Sequence, residues 1–382
     1  MFTPTIFDNK QTKNLSIPVC RGNWYNKKRL SQLLLLFSDR GSVVAQDKNS
    51  PAIGRIVISV LLLSVALTYV ASCRRSNDTT PPVTPTPPAI PAANGQITLD
   101  SCLGLSGVAE KCTLVTNASA CTGKKCSHLV VIFSGGEMGC VNGAGYNNAL
   151  AGYASHGYAA VCINYFDTAT GSGAVPYVDE ATRIDLAVKE ATSGAWALSY
   201  WTGEYLLLQG ISHGATAPVI LMARTSLANQ SHWKGSRFTG GCFFDGSYNQ
   251  VATANLLATG ALGNNACTFP VSYTRGLERY CGTGATGASC NLNTNAKAQA
   301  DTIDAATINF AIRDFRMFEC GSSLPACTGD IIPGAPVQQL CSNIAAASGY
   351  TCSFSSLAND GHLTCHANQY DQCRTWFESV AP

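Results

Sequence analysis

The chain has 382 residues, of which 46% are hydrophobic and only 13% are charged. Such a composition is too apolar for a disordered protein and provides enough core for one large domain or two small ones. Residues 1–73 hold nine basic and three acidic residues, which leaves sixteen basic and twenty acidic residues, a net charge of −4, in 74–382. A mildly acidic body without a basic cluster argues against binding to nucleic acid.

An apolar run of 15 residues, Ile56 to Val70, follows Arg55 and is itself followed by the letters ASC, the last of which is Cys73. This run is shorter than the roughly 20 residues of a transmembrane helix, and its basic flank and small final residues predict a secretory signal. Its end resembles a bacterial lipobox, which implies lipid attachment at Cys73. A conventional signal peptide and an uncleaved anchor remain alternatives. The expected location is the bacterial cell envelope, lipid-anchored at the outer membrane or cell surface, or the secreted fraction.

The composition divides the chain into three parts. Residues 1–73 form an N-terminal extension with the lipoprotein-type signal, and no function is assigned to residues 1–50. Residues 74–97 are rich in proline and threonine, with six prolines between Pro81 and Pro91, which favours an extended linker. Residues 98–382 are the predicted globular domain.

The 18 cysteines indicate an oxidising compartment. Without Cys20 and the lipidated Cys73, sixteen cysteines remain, an even number that is compatible with complete pairing. Spacing alone suggests short-range pairs, although it does not determine connectivity. These pairs are Cys320–Cys327, Cys341–Cys352 and Cys365–Cys373.

Continuous apolar segments alternate with helix-like stretches along the globular part, which predicts a mostly parallel central sheet flanked by helices. The predicted strands are 128–133, 158–165 and 205–209, with weaker candidates at 238–244 and 315–320. The predicted helices are 147–156, 178–192 and 214–228. Two cysteine-rich insertions, at about 260–300 and 320–330, interrupt the second half.

The segment from Gly210 to Gly214 reads GISHG and fits the G-x-S-x-G pattern with Ser212 at its centre. An apolar strand leads into it and a plausible helix leaves it, which is the strand–turn–helix setting of a nucleophile elbow. On this motif, and on the glycine-rich end of the first strand, residues of about 125–380 resemble the α/β-hydrolase family. The resemblance implies an α/β-hydrolase fold with disulfide-rich insertions.

In that family the acid and the histidine follow the serine in chain order. His362, which follows Asp360-Gly361 in a predicted polar loop near the C-terminus, is the predicted base, with His366 as the alternative. The letters GDIIP resemble the family's acid loop and make Asp330 the predicted acid. Asp245 and Asp314 remain alternatives for the acid.

The resemblance also implies an oxyanion hole. Its backbone N–H donors would be His213, directly after the nucleophile, and Gly136 or Glu137 after the first strand. The mechanism requires no cofactor. A metal site is not predicted either, because no pair of cysteines has zinc spacing. The nearest approach to a ligand cluster is formed by His362, Cys365 and His366.

The function predicted from these residues is hydrolysis of carboxylic esters by a secreted, membrane-tethered serine hydrolase, through an acyl-enzyme intermediate. The alternatives are a serine peptidase or amidase of the same fold and a non-catalytic surface binding module. The expected partners are a small or polymeric ester and, through the lipid anchor, a membrane, and the protein is expected to be a monomer. Aromatic residues before the nucleophile strand line an acyl pocket or, the favoured interpretation, pack on the core: Trp196, Tyr200 and Trp201.

Overall fold

The computed structural model describes residues 89–100, 112–135, 139–140, 144–165, 177–224, 231–258, 271–321, 332, 334–357 and 361–381. Eight strands form one sheet. They are β1 (Gly95–Leu99), β2 (Cys112–Asn117), β3 (Cys126–Phe133), β4 (Tyr158–Asn164), β5 (Trp201–Ile211), β6 (Phe238–Phe244), β7 (Asp314–Cys320) and β8 (Thr351–Leu357).

The strands lie in the order β1-β2-β4-β3-β5-β6-β7-β8. β1 and β2 pair antiparallel at one edge, β2 also pairs antiparallel with β4, and the strands from β4 to β8 are parallel. The central strands are apolar and buried on both faces, as a parallel sheet between two layers of helices requires. The predicted fold class, a mostly parallel sheet flanked by helices, is therefore confirmed.

Helices cover both faces of this sheet. They are α1 (Ala144–Ser155), α2 (Tyr177–Ser193), α3 (Ala195–Tyr200), α4 (His213–Arg224), α5 (Gln250–Ala258), α6 (Val271–Cys281), α7 (Ala296–Ala300), α8 (Gly334–Ala346) and α9 (His362–Val380). Apolar side chains of α2, α3, α4 and α8 bury one face, and those of α1 and α9 bury the other. Among the described residues, no helix combines the length and the apolarity needed to cross a membrane.

The folded part begins before residue 98, the predicted start of the domain. β1 starts at Gly95 and pairs with β2, so the end of the predicted linker belongs to the sheet. The segment before it is held by two aromatic side chains: Trp196 Nε1 donates to the carbonyl of Ala93 (3.2 Å) and Tyr200 Oη to that of Pro91 (2.6 Å). These side chains are buried in the core, as the favoured interpretation expects.

Six disulfides lie within the described residues. Of the predicted pairs, Cys341–Cys352 is confirmed. The pairs Cys320–Cys327 and Cys365–Cys373 are wrong. Cys320 is bonded to Cys365, and Cys373 is bonded to Cys242. The reason is topological: α9 packs across β6 and β7, so its cysteines meet strands that are distant in sequence.

Candidate active site

Ser212 stands between β5 and α4 in a tight turn. Its φ is +54°, in the left-handed region that residues other than glycine seldom adopt. Its carbonyl accepts hydrogen bonds from the N–H of Ala215 (3.0 Å) and Thr216 (2.9 Å), so that the helix begins directly at the turn. The strained strand–turn–helix geometry is that of a nucleophile elbow, as the sequence pattern predicts.

The two glycines of the pattern are required by close backbone contacts. A Cβ on Gly210 would lie 2.0 Å from the carbonyl oxygen of Gly214, where the turn folds back on itself. A Cβ on Gly214 would lie 2.2 Å from the carbonyl oxygen of Phe133, at the end of β3. Any side chain at either position would push α4 away from the sheet and move Ser212 with it.

Asp245 directly follows β6 and has a φ of +50°. Its side chain is fully buried, its N–H donates to the carbonyl of Phe318 (2.9 Å), and its Oδ1 accepts from the N–H of Cys320 (2.7 Å). A buried carboxylate is costly unless hydrogen bonds compensate for its lost water. One contact with β7 thus orients the carboxylate, and the other holds the backbone of the same residue.

His362 is the first residue of α9, and Gly361 is the N-cap. The sequence predicts a polar loop at this histidine, whereas the structure places it at the start of a helix of 19 residues. Its Nδ1 lies 3.0 Å from Oδ2 of Asp245, and 12% of the His362 side chain is exposed. With a proton on Nδ1 donated to the carboxylate, Nε2 is the nitrogen left to act as a general base.

The helix that carries His362 is bonded covalently to both strands beside the carboxylate. Cys365, one turn after the histidine, is bonded to Cys320 at the end of β7, and Cys373 is bonded to Cys242 in β6. Cys365, one member of the ligand cluster considered above, is therefore in a disulfide and is not a free thiolate.

The serine and the aspartate lie at the same edge of the sheet. Ile211 and Phe244, the last residues of β5 and β6, are register partners, and the residue after each strand is Ser212 or Asp245. The N–H of the serine donates to the carbonyl of Phe244 (2.9 Å). The structure therefore places the predicted nucleophile beside Asp245, one of the alternatives for the acid, and pairs that aspartate with the predicted base.

The other acid candidates stand differently. Asp330, the predicted acid, lies outside the described residues. Asp314 is the first residue of β7, so it lies where the parallel strands begin, whereas Ser212 and Asp245 lie where they end. It accepts a hydrogen bond from Thr351 Oγ1 (2.8 Å). Of the alternative base His366, only the backbone within α9 is described. Among the described carboxylates, Asp245 is the partner of His362.

Of the predicted oxyanion donors, the structure describes His213. His213 is the first residue of α4, so its N–H is at the positive end of the helix. Gly136 and Glu137 lie outside the described residues. The N–H just before them, that of Gly135, donates to the hydroxyl of Tyr146, for which the sequence predicts no role. Burial raises the pKa of Tyr146, so its hydroxyl stays protonated.

No protein-family model matches the chain. No curated protein sequence matches it either. Among solved structures, it is similar to esterase B from Lactobacillus rhamnosis, at 12% identity and a TM-score of 0.49, over 85% of this chain and 96% of that one. It is also similar to esterase 2 from Thermogutta terrifontis, at 14% identity and a TM-score of 0.48, over 76% of this chain and 97% of that one. A third similar structure is Est1E from Butyrivibrio proteoclasticus, at 13% identity and a TM-score of 0.46, over 76% of this chain and all of that one (100%).

Proposed function

We propose that the chain is a serine hydrolase that cleaves carboxylic esters, with Ser212 as nucleophile, His362 as base and Asp245 as acid. The observation that carries this proposal is the 3.0 Å pair between His362 Nδ1 and the buried carboxylate, which directly follows the strand beside the nucleophile elbow. Asp245 replaces Asp330 in the proposal, because the histidine can donate its Nδ1 proton to one carboxylate at a time.

The mechanism follows from these positions. Ser212 is a weak nucleophile until His362 Nε2 takes its proton, and its Oγ then attacks the ester carbonyl carbon. The oxyanion of the tetrahedral intermediate accepts hydrogen bonds from the N–H of His213 and of Gly136 or Glu137, worth about 3–4 kcal/mol for each donor. As the intermediate collapses, the protonated imidazole gives its proton to the departing alcohol.

Water completes the reaction. His362 takes a proton from the water as its oxygen attacks the acyl-enzyme, and the proton returns to Ser212 Oγ as the carboxylic acid leaves. Asp245 holds the imidazole in the tautomer with hydrogen on Nδ1 and stabilises the imidazolium in both steps. Two hydrogen bonds with β7, one from the N–H of Asp245 and one to its Oδ1, hold this residue in place.

Ester hydrolysis is the least demanding reaction of such a triad. An alkoxide or phenoxide leaves a tetrahedral intermediate far more readily than an amine does, since the amine needs a well-placed acid to protonate it. A triad that hydrolyses amides therefore hydrolyses activated esters as well, whereas the reverse does not follow. Esters are accordingly the substrate class to test first.

The test uses a fluorophosphonate probe and p-nitrophenyl esters of increasing acyl length, with the full chain and its Ser212→Ala variant. We expect one probe molecule per chain, attached to Ser212, and measurable turnover of the short esters. The variant should lose both the labelling and several orders of magnitude of kcat, because nucleophile and base act as a unit. Equal labelling or equal turnover in the two proteins would refute the proposal.

We also propose that the protein is exported and lipidated at Cys73, which lies outside the described residues. The apolar run before that cysteine supports this, and so do the disulfides, which persist in oxidising compartments. Cys73→Ala should abolish palmitate labelling and release the protein from the membrane fraction. Labelling that survives the substitution would contradict lipidation at this residue.

A further inference from the structure

An insertion between β6 and β7 carries its own small apolar cluster. It includes α5, α6 and α7, and Cys281 at the end of α6 is bonded to Cys290. The cluster consists of Ala254, Leu277, Tyr280, Cys290, Leu292 and Ala298. Its side chains are buried against one another, so this part of the chain is a small packed unit beside the main core.

Buried polar side chains fasten this insertion to the start of α2. Asp301, fully buried, accepts hydrogen bonds through its two oxygens from the N–H of Tyr177 and of Val178, both at 3.0 Å. Tyr280 Oη donates to the same carboxylate at 2.9 Å. A carboxylate at a helix N-terminus satisfies N–H groups that the helix itself leaves without partners. Asp301 of the insertion therefore caps the N-terminus of α2.

A second polar chain runs from the insertion to the residue after the nucleophile. His213 Nε2 lies 2.8 Å from Glu180 Oε2, and His213 Nδ1 lies 3.5 Å from an Nη of Arg279. All three side chains are buried. An arginine can only donate, so Nδ1 of the imidazole accepts and Nε2 carries the proton that is donated to the carboxylate. The imidazole thus links a buried cation to a buried anion.

Packing holds the guanidinium in this place. Its Cζ lies 3.8 Å from the centre of the Tyr177 ring, and this ring also packs on the His213 imidazole at 4.9 Å between centroids. Rotating His213 would break two hydrogen bonds to charged groups in a dry interior, where an unpaired charge is costly. The backbone of the first residue of α4 is therefore tied to α2 and to α6 at once.

We propose that Arg279 is a positioning residue, which fixes the backbone N–H of His213 toward the oxyanion and so couples the insertion to the nucleophile elbow. This inference rests on the proposed function. The guanidinium does not touch the substrate carbonyl; it acts through the imidazole and the turn that follows Ser212. Removing it takes the cation out of this chain of buried polar groups and removes the hydrogen bond to His213 Nδ1.

The experiment compares Arg279→Met with Arg313→Met. Arg313 also stacks on a tyrosine, with its Cζ 4.2 Å from the centre of the Tyr350 ring, but it precedes β7 and lies at the opposite edge of the sheet. Each variant is assayed with p-nitrophenyl acetate and with its thionoester, in which sulfur replaces the carbonyl oxygen. Sulfur is a weaker hydrogen-bond acceptor, so the ratio of kcat/KM for the two substrates reports on the oxyanion donors.

We expect Arg279→Met to lower kcat for the oxygen ester about 10–100-fold, somewhat less than loss of a whole oxyanion donor, with KM changed less than about threefold. The oxygen-to-sulfur ratio should fall at least about threefold. Arg313→Met should leave both kcat and the ratio within about twofold of the unmodified protein. Equal kcat in the two variants, or a loss of kcat at an unchanged ratio, would overturn the proposal.

Arg279→Lys covers the case in which Arg279→Met does not fold. Lysine keeps the charge but not the planar group that stacks on Tyr177, so kcat and the ratio should lie between those of the unmodified protein and those of a full loss. An unchanged kcat and ratio in this variant would also overturn the inference. Ser212→Ala separates the two claims: if it is inactive while the arginine variants behave normally, only the positioning role fails.

Discussion

The two halves of the candidate site are held in place in different ways. Ser212 sits in a turn of five residues whose two glycines permit backbone contacts that no side chain could accommodate. The pair of Asp245 and His362 joins residues that are 117 positions apart and is held by strand ends and by disulfides to α9. The nucleophile is thus specified mainly by local geometry, and the acid–base pair by tertiary structure.

Among changes that leave the three triad residues in place, the largest effect should come from cutting the disulfide nearest the acid–base pair, in Cys320→Ser/Cys365→Ser. This bond closes a loop of 45 residues, worth about 4 kcal/mol in the chain-entropy model, and it joins the strand end that supports Asp245 to the helix of His362. Because a displacement of about 1 Å in a catalytic group can cost a hundredfold in rate, we expect kcat to fall about 10–100-fold.

The matched control is Cys341→Ser/Cys352→Ser, which opens a disulfide that links α8 to β8. Its loss should lower the melting temperature, by an amount that corresponds to about 3 kcal/mol, and leave kcat within about twofold below that temperature. Melting curves and ester kinetics on both double variants check this. The same kcat in both double variants would show that the acid–base pair does not depend on the disulfide between Cys320 and Cys365.

A smaller effect is expected on the nucleophile side from Tyr146→Phe. The change removes only the hydroxyl that accepts the N–H of Gly135, just before the predicted oxyanion donors. We expect kcat to fall about tenfold with little change in KM, because the loop loses one anchor and no substrate contact. The control is Tyr153→Phe, which removes a buried hydroxyl of the same helix that bonds to Gln209.

Both tyrosine variants should lose similar stability, since each leaves a buried group without its partner. The comparison of kcat at equal folded fraction separates a role in catalysis from a role in folding. A normal kcat in Tyr146→Phe, or an equal loss of kcat in Tyr153→Phe, would show that the Tyr146 hydroxyl does not support the predicted oxyanion donors.

The smallest effect concerns stability and pH at the insertion. Burial raises the pKa of Asp301 from 3.8 to about 6, although Tyr280, Arg279 and two backbone N–H groups act to lower it. Because the native state then holds a proton that the unfolded chain releases, this residue's contribution to stability is present below about pH 4 and is lost as the pH rises to about 6.

The measurement is the difference in unfolding free energy between the unmodified protein and Asp301→Asn, by urea titration at several pH values. Relative to the variant, the unmodified protein should lose about 1–3 kcal/mol between pH 4 and pH 6.5. A constant difference across that range would show that Asp301 is ionised at the same pH in the folded and unfolded chains.

The sequence predicted the parts of the fold that depend on local pattern. Buried apolar runs predicted β3, β4, β5, β6 and β7 and hence the parallel sheet. β1 was missed, because five residues that begin with Gly95-Gln96 carry no pattern of their own and are ordered by pairing with β2.

The same division explains the site. Ser212 lies in a motif of five consecutive residues, and His362 directly follows a glycine, so both can be found from neighbouring residues in the chain. The partner of that histidine is decided by which strand ends meet at one edge of the sheet, and no spacing rule connects residues 245 and 362. The available signal for the acid was an aspartate directly after the apolar end of β6, in the letters FFD. An aspartate in such a position is also typical of a structural loop residue. The side chains of Glu180 and Arg279 were missed for the same reason.

The central claim is that the acid of the triad is Asp245, and the most direct test is kcat for a p-nitrophenyl ester in Asp245→Asn and in Asp330→Asn. In Asp245→Asn the amide oxygen can still accept from the N–H of Cys320, while the amide NH₂ faces His362 Nδ1 and forces the wrong tautomer. We predict a loss of about 10⁴ in kcat for Asp245→Asn at an unchanged fold, and a change of less than about tenfold for Asp330→Asn. A normal rate in Asp245→Asn together with a large loss in Asp330→Asn would contradict the account.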